Sequence, residues 1–218
     1  MKELFTIGYS PFSMTDFLEV LKRYRIRLLI DVRSVPYSSH YSAYNKENLI
    51  PMLKSIGIVY DNYATEFGAQ QTNPVYFDKR DGYLDFDKYV KSASFGRGFQ
   101  KAENVIKQGH LFALMCAEKD PATCHRSIMV SRVFSECGYC IKHILADGKT
   151  EGQDDIETQL LDKYFPNRNQ LTLWGEDQEA TVPNAYRKRN EEIGFRLENV
   201  KNEAVHNWIY KEDRAALF

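Results

Sequence analysis

Between Leu111 and Arg126 the chain reads LFALMCAEKDPATCHR, a stretch that gathers thiols, acids, an imidazole and a guanidinium. An apolar run ends in Cys116, Glu118 and Asp120, and Cys124, His125 and Arg126 open a helix-like segment just beyond Pro121. A carboxyl at the partly buried end of a strand has its pKa raised by desolvation, which suits Glu118 to general acid or base work. Cys124 at a helix N-terminus beside His125 and Arg126 would have a lowered pKa, the condition for a nucleophilic thiol. Successive helical residues nevertheless point about 100° apart, so adjacency alone does not make Cys124 and His125 a dyad. Cys116, closing the apolar run, reads as a small packing residue.

Two other strand ends carry polar groups. The first presents Gly8, Tyr9 and Ser10; the second presents Asp31, Arg33 and Ser34, followed by Val35, Pro36 and Tyr37. If these strands and the run before Glu118 are parallel neighbours, all three groups emerge at one sheet edge, where open α/β sheets bind ligands. Arg33 and Arg126 would then grip a phosphate or carboxylate bidentately, aided by backbone N–H groups near Cys124. The plainer alternative is that Arg33 pairs with Glu118 or Asp120 and fixes the loops. Asp31 either orients Arg33, exchanges protons, or caps the next turn. Tyr37, His40, Tyr41 and Tyr44 are equally readable as a platform for stacking a base and as ordinary packing.

Cys137 and Cys140 form a C-x2-C pair that, with Cys116 and Cys124, offers four zinc ligands. Zinc ribbons set two such short pairs against each other, and Cys116 and Cys124 are too far apart to be one. No metal and no cofactor is therefore expected, with Cys137 and Cys140 the residual question. A redox role is no better placed, because Gly138 reads as the end of a helix rather than its start. His110 and His143 flank strands and read as structural.

These groups need a scaffold, and the pattern supplies one. Apolar runs near Leu4–Gly8, Leu28–Val32, Ile58–Tyr60, Leu111–Cys116 and Ile141–Leu145 alternate with helical spacing, the signature of a mostly parallel sheet covered on both faces. Phe17, Leu18 and Leu21 mark one helix, capped by Ser13 or Thr15, and Leu49, Leu53 and Ile56 mark a second over Tyr44–Ile56, stopped by Gly57. Ala64–Gly82 reads as a long loop, followed by helices over Asp85–Ala93 and Phe95–Gln108. Further helices are expected over Cys124–Cys137 and Asp154–Tyr164. Beyond Pro166 the chain turns polar and carries both charge signs, and Tyr186–Ile209 reads as an exposed arm. We therefore expect a three-layer, Rossmann-like α/β domain over residues 1–165 and a mainly helical extension over 166–218.

With 218 residues and 43% hydrophobic content the chain can bury a sizeable core, and a net charge of -1 argues against a protein built to coat nucleic acid. No apolar run approaches the ~20 residues needed to cross a bilayer, and the first ten residues lack a secretory signal's apolar region. Four cysteines crowded between Cys116 and Cys140 do not resemble a disulfide framework. A cytoplasmic protein with no membrane partner is expected.

The segments TIGYS at Thr6–Ser10, DVRSVPYS at Asp31–Ser38 and CAEKDPATCHR at Cys116–Arg126 resemble the bacterial and archaeal family catalogued as Domain of Unknown Function 488. The resemblance spans roughly residues 3–165. It implies a single three-layer α/β domain, with matching motif positions at Gly8, Ser10, Asp31, Arg33, Pro36, Cys116, Glu118, Asp120, Cys124, His125 and Arg126. It implies no reaction. The family's Leu-Gly-Gly turn is here Phe67, Gly68 and Ala69.

The residues favour an enzyme, a hydrolase or group transferase, acting on a small anionic or nucleotide-like ligand. Glu118, Asp31, His125 and Cys124 are the expected catalytic groups; Gly8, Ser10, Arg33, Tyr37, Asp120 and Arg126 are the expected ligand-binding ones. The alternative is a non-catalytic nucleic-acid or nucleotide-binding module, in which the tyrosines stack bases and Arg187–Arg189 touches phosphate. Neither reading specifies an oligomeric state.

Overall fold

The fold was described from a computed structural model covering residues 2–168 and 180–197. Six strands form one sheet: β1 (Glu3–Gly8), β2 (Leu28–Asp31), β3 (Val59–Asn62), β4 (Phe112–Cys116), β5 (Cys140–Ile144) and β6 (Thr150–Glu151). Their order is β3-β2-β4-β1-β5-β6, and every pairing is parallel except β5 with β6. The register sets Gly8 beside Cys116 and Asp31 beside Met115, so the carboxyl ends of β1, β2 and β4 lie level.

All five residues of β4 are buried, as expected for a parallel strand covered on both faces. Alternate residues serve opposite layers. On one side Ile7, Leu29 and Met115 meet Phe17 and Leu21 of α1 (Met14–Arg23) and Leu49 and Leu53 of α2 (Lys46–Ser55). On the other, Leu4, Ile30, Phe112 and Leu114 meet α5 (Ala93–Lys107), α6 (Arg132–Glu136), α7 (Gln153–Tyr164) and α8 (Val182–Ile193), which contribute Phe95, Phe134, Ile156 and Tyr186. This is the expected three-layer α/β sandwich, with Ala185 and Tyr186 of the C-terminal region in the same core.

Local signals explain most boundaries. The Ser13 hydroxyl accepts from the Asp16 N–H at 3.2 Å to start α1, and Gly57, at a φ of +75°, turns the chain out of α2. The tract read as a loop contains α3 (Ala64–Phe67), and the helix expected over Asp85–Ala93 is one turn, α4 (Phe86–Tyr89). The helix expected from Cys124 begins later. Asp120 caps a 3-10 turn over Pro121–Thr123 and leaves Cys124 extended, so the chain becomes helical only from His125. From Arg126 to Ser131 the helix is π-wound, and the Ser131 hydroxyl donates to the Arg126 carbonyl at 2.7 Å across the wide turn. The arm expected to be exposed over Tyr186–Ile209 is, as far as Leu197, the second half of α8 and the residues after it, and packing on the sheet buries Tyr186, Arg189 and Asn190; residues 198–209 lie outside the described ones.

Candidate functional site

β1 leaves the sheet through α1 toward β2 and β3, whereas β4 leaves through α6 toward β5. These adjacent strands send their chains in opposite directions, which opens a crevice between their carboxyl ends. Gly8 stands there. A Cβ on it would lie 1.8 Å from the Glu118 carbonyl oxygen, so only glycine lets the loop after β4 approach β1 this closely. Arg126, fully buried, locks the approach by donating to the Glu118 carbonyl at 2.7 Å and to Thr6 Oγ1 at 3.3 Å, with a longer 3.5 Å contact to the Lys119 carbonyl.

Above this lock, Cys116 Sγ, Cys124 Sγ, His125 Nδ1 and a Glu118 carboxylate oxygen lie within 4.8 Å of one another. Nδ1 of His125 is 3.8 Å from the Cys116 sulfur and 3.9 Å from that of Cys124. Nε2 donates to the Val32 carbonyl at 2.9 Å, which directs Nδ1 at the sulfurs. Cys124 Sγ and Glu118 Oε2 share a hydrogen bond at 3.0 Å, and the Arg126 backbone N–H donates to Cys124 Sγ at 3.4 Å. Cys124 and His125 are thus brought together by the extended backbone at Cys124, not by a shared helix face.

Electrostatics separates these groups. Burial, reinforced by Cys124, pushes the Cys116 thiol well above its ordinary pKa. Burial would do the same to Cys124, but the hydrogen bond with Cys116 and the charges of Arg126 and His125 outweigh it and hold Cys124 well below the thiol range. Burial opposes charge on His125, yet the contact with Cys124 and the nearby Glu118 raise it. Glu118 is exposed as a residue, but its carboxyl end is folded in against Cys124, where burial pushes its pKa up.

Arg33 and Asp31 form a second, separate cluster. Arg33 Nη2 reaches Asp31 Oδ2 at 2.6 Å and the Tyr44 carbonyl at 2.9 Å, its Nε reaches Asp31 Oδ1 at 2.9 Å, and the Tyr60 hydroxyl donates to Asp31 Oδ2 at 2.8 Å. Its guanidinium covers the Tyr9 ring, and Nη1 is buried without a hydrogen-bond partner. Arg33 therefore pairs with Asp31, not with Glu118 or Asp120. The Asp120 carboxylate accepts from the Ala122 N–H at 2.8 Å, and the Ser10 N–H bonds the Ala117 carbonyl at 3.2 Å. Tyr37, His40 and Tyr41 are exposed, whereas Tyr44 is buried and stacked on Tyr9.

A pocket of about 360 Å³ opens beside the thiol cluster, lined by Glu118, Thr123 and His125 on one side and by Ala69 and Gln70 on another. Its far wall is the end of α8, from Glu192 to Arg196. Gln70 and Arg196 lie outside every motif of the sequence, and Thr123 lies inside the Cys116–Arg126 motif without being singled out there; the far wall reaches the pocket because α8 packs on the sheet. Cys137 is exposed and Cys140 opens β5 beside Glu3, at the opposite end of the strands from Cys116 and Cys124, so the four thiols form no common site.

Sheet and crevice define an α/β protein with a pocket beside the carboxyl end of β4, between the loop after that strand, Ala69–Gln70 and the end of α8. The family model described as Domain of unknown function DUF488 matches residues 13–133, more than half of the chain, and the protein belongs to that family. The match includes the Asp31–Ser38 and Cys116–Arg126 motifs; Thr6–Ser10 and α8 lie outside it. Comparison with the curated proteins and with the solved structures returns no match.

Proposed function

We propose that the chain is an enzyme that hydrolyses, or transfers a group on, a small anionic or nucleotide-like molecule bound between Glu118, Thr123, His125 and the end of α8. The observation that carries this reading is the placement of a carboxyl and an imidazole on one wall of a roughly 360 Å³ pocket. That size suits a small ligand, and those two groups are the usual partners in general acid–base catalysis. Arg196 is the cation of the lining, and Gln70 and Thr123 add neutral hydrogen-bonding groups. Cys124, buried, acts through its hydrogen bond to Glu118 rather than as an exposed nucleophile. Asp31, Arg33 and Arg126 hold the loops.

The test is calorimetric binding of AMP, ADP and ribose 5-phosphate, with release of inorganic phosphate from each as the turnover assay. Arg196→Ala is expected to weaken binding about tenfold or more, the value of one charged hydrogen bond. Glu118→Gln should bind as before and turn over ~100-fold more slowly. Unchanged turnover in Glu118→Gln would sink the reading. Binding of short DNA instead, lost steeply with salt, would favour a nucleic-acid module resting on Tyr37, Tyr41 and the exposed Arg187 and Lys188. For that rival, Tyr44 and Arg189 are both buried, and Arg189 is paired with Glu192.

A further inference from the structure

We propose that Cys116, Cys124 and His125 bind one Zn2+ ion, with Glu118 in the fourth position on the pocket side. This deepens the reading above by naming a cofactor for that pocket; it rests on that reading for the ion's role, not for its binding. Tetrahedral zinc with bonds of about 2.3 Å to sulfur and 2.0–2.1 Å to nitrogen requires sulfur and nitrogen ligands about 3.6 Å apart. The two sulfurs stand 3.8 and 3.9 Å from His125 Nδ1, a few tenths of an ångström beyond those edges of a zinc tetrahedron, and all four ligand atoms lie within 4.8 Å of one another. The histidine is already oriented as a ligand. Its Nε2–H is spent on the Val32 carbonyl, the usual outer partner of a metal-bound imidazole, and its Nδ1 faces the sulfurs.

Charge points the same way. Arg126 is fully buried, yet its side-chain hydrogen bonds all end on neutral oxygens. A buried cation needs a nearby anion. Two thiolates and one carboxylate around a divalent ion leave a single net negative charge, which Arg126 balances. The Arg126 backbone N–H on Cys124 Sγ is the hydrogen bond a bound thiolate takes. Two sulfurs and an imidazole select zinc over the hard, oxygen-seeking cations. This set differs from the four-cysteine grouping that spacing suggests, because only two of those thiols lie at this end of the sheet. Glu118 is the ligand facing the pocket and so the one that gives way to water, for which the ion supplies Lewis-acid activation.

The full chain, stripped with a chelator and refilled with Zn2+ or Co2+, should retain about one ion per chain by elemental analysis, and the Co2+ form should show thiolate-to-metal charge-transfer absorption. Cys116→Ser, Cys124→Ser and His125→Ala should each lose the ion, Glu118→Gln should weaken binding without abolishing it, and the Cys137→Ser/Cys140→Ser pair should bind like wild type. Because the ligand variants disturb a buried cluster, the wild-type protein supplies an independent reading: Zn2+ added to the metal-free chain should raise its thermal midpoint, and equally so in the Cys137→Ser/Cys140→Ser pair. The proposal is overturned if wild type retains no ion, if Co2+ binds without the thiolate absorption, or if binding is lost in the Cys137/Cys140 pair. An ion bound without any phosphate ligand would remove the proposed function and leave the metal site. Arg196-dependent ligand binding to metal-free protein that never takes up an ion would do the reverse.

Discussion

Gly8 is held against the Glu118 carbonyl so closely that any side chain must displace backbone rather than a flexible neighbour. Its φ is not in the left-handed region, so the requirement is one of space alone. Gly8→Ala is expected to cost about 3 kcal/mol in urea unfolding, at the upper end of overpacking penalties, because β1 and the Glu118 loop are clamped by Arg126 and have little room to separate. A loss below about 0.5 kcal/mol, the scale of an ordinary surface change, would show that the loop relaxes freely. The two arginines that sequence presents as a matched anion grip are divided at this scale. Arg126 binds carbonyls, and Arg33 is tied to Asp31. Asp31, two residues from Arg33, was legible as its partner, whereas the Glu118 carbonyl and Thr6 hydroxyl that hold Arg126 are brought to it by the fold.

α8 carries the pocket wall, and beside the core contacts of Ala185 and Tyr186 one buried polar side chain ties it to the chain before α4. Asn190 accepts from the Phe86 N–H at 2.8 Å and donates to the Leu84 carbonyl at 2.9 Å, linking α8 to the segment before α4. A backbone bond from the Leu84 N–H to the Phe195 carbonyl at 2.8 Å continues the seam to the residues that line the pocket. Asn190→Ala leaves two buried backbone groups unsatisfied, and an expected loss of about 2–6 kcal/mol follows from roughly 1–3 kcal/mol per group. Hydrogen exchange at Leu84 and Phe86 should accelerate more than exchange in β4; equal acceleration would mean that α8 is not a separable wall. The composition of α8 announces a charged helix and hides this seam, since Asn190 sits among Arg187, Lys188, Glu191 and Glu192 with nothing to single it out.

The molecule as a whole is sensitive to acid through His143. Fully buried between Thr6 Oγ1 at 2.8 Å and Gln153 Oε1 at 2.9 Å, it is held neutral, with burial first and Arg126 second lowering its pKa from 6.5 to about 3. The unfolded chain takes up this proton below pH 6.5 while the folded chain refuses it until about pH 3. Stability from this group is therefore intact above pH 6.5 and falls progressively as pH drops through that window. Urea midpoints of wild type should decline between pH 7 and 5 more steeply than those of His143→Gln, whose amide has no proton to gain; parallel declines would contradict the assignment. His143 joins both regions of the chain, since Gln153 also donates to the Tyr186 hydroxyl of α8 at 2.7 Å. The sequence by itself determined the layers: continuous apolar runs must be buried on both faces, and helical spacing between them must cover those faces. It also pointed to the sheet edge where the crevice opens, because β1, β2 and β4 all end in polar residues, although Asp31 and Arg33 are buried there as an ion pair. Only tertiary structure decided which groups meet. The meeting of the β4 end with the loop before Arg126, the return of α8 to the sheet and the opposite placement of Cys137 and Cys140 are long-range outcomes of packing, and they turn a list of reactive residues into one cluster of two sulfurs, an imidazole and a carboxylate beside a pocket.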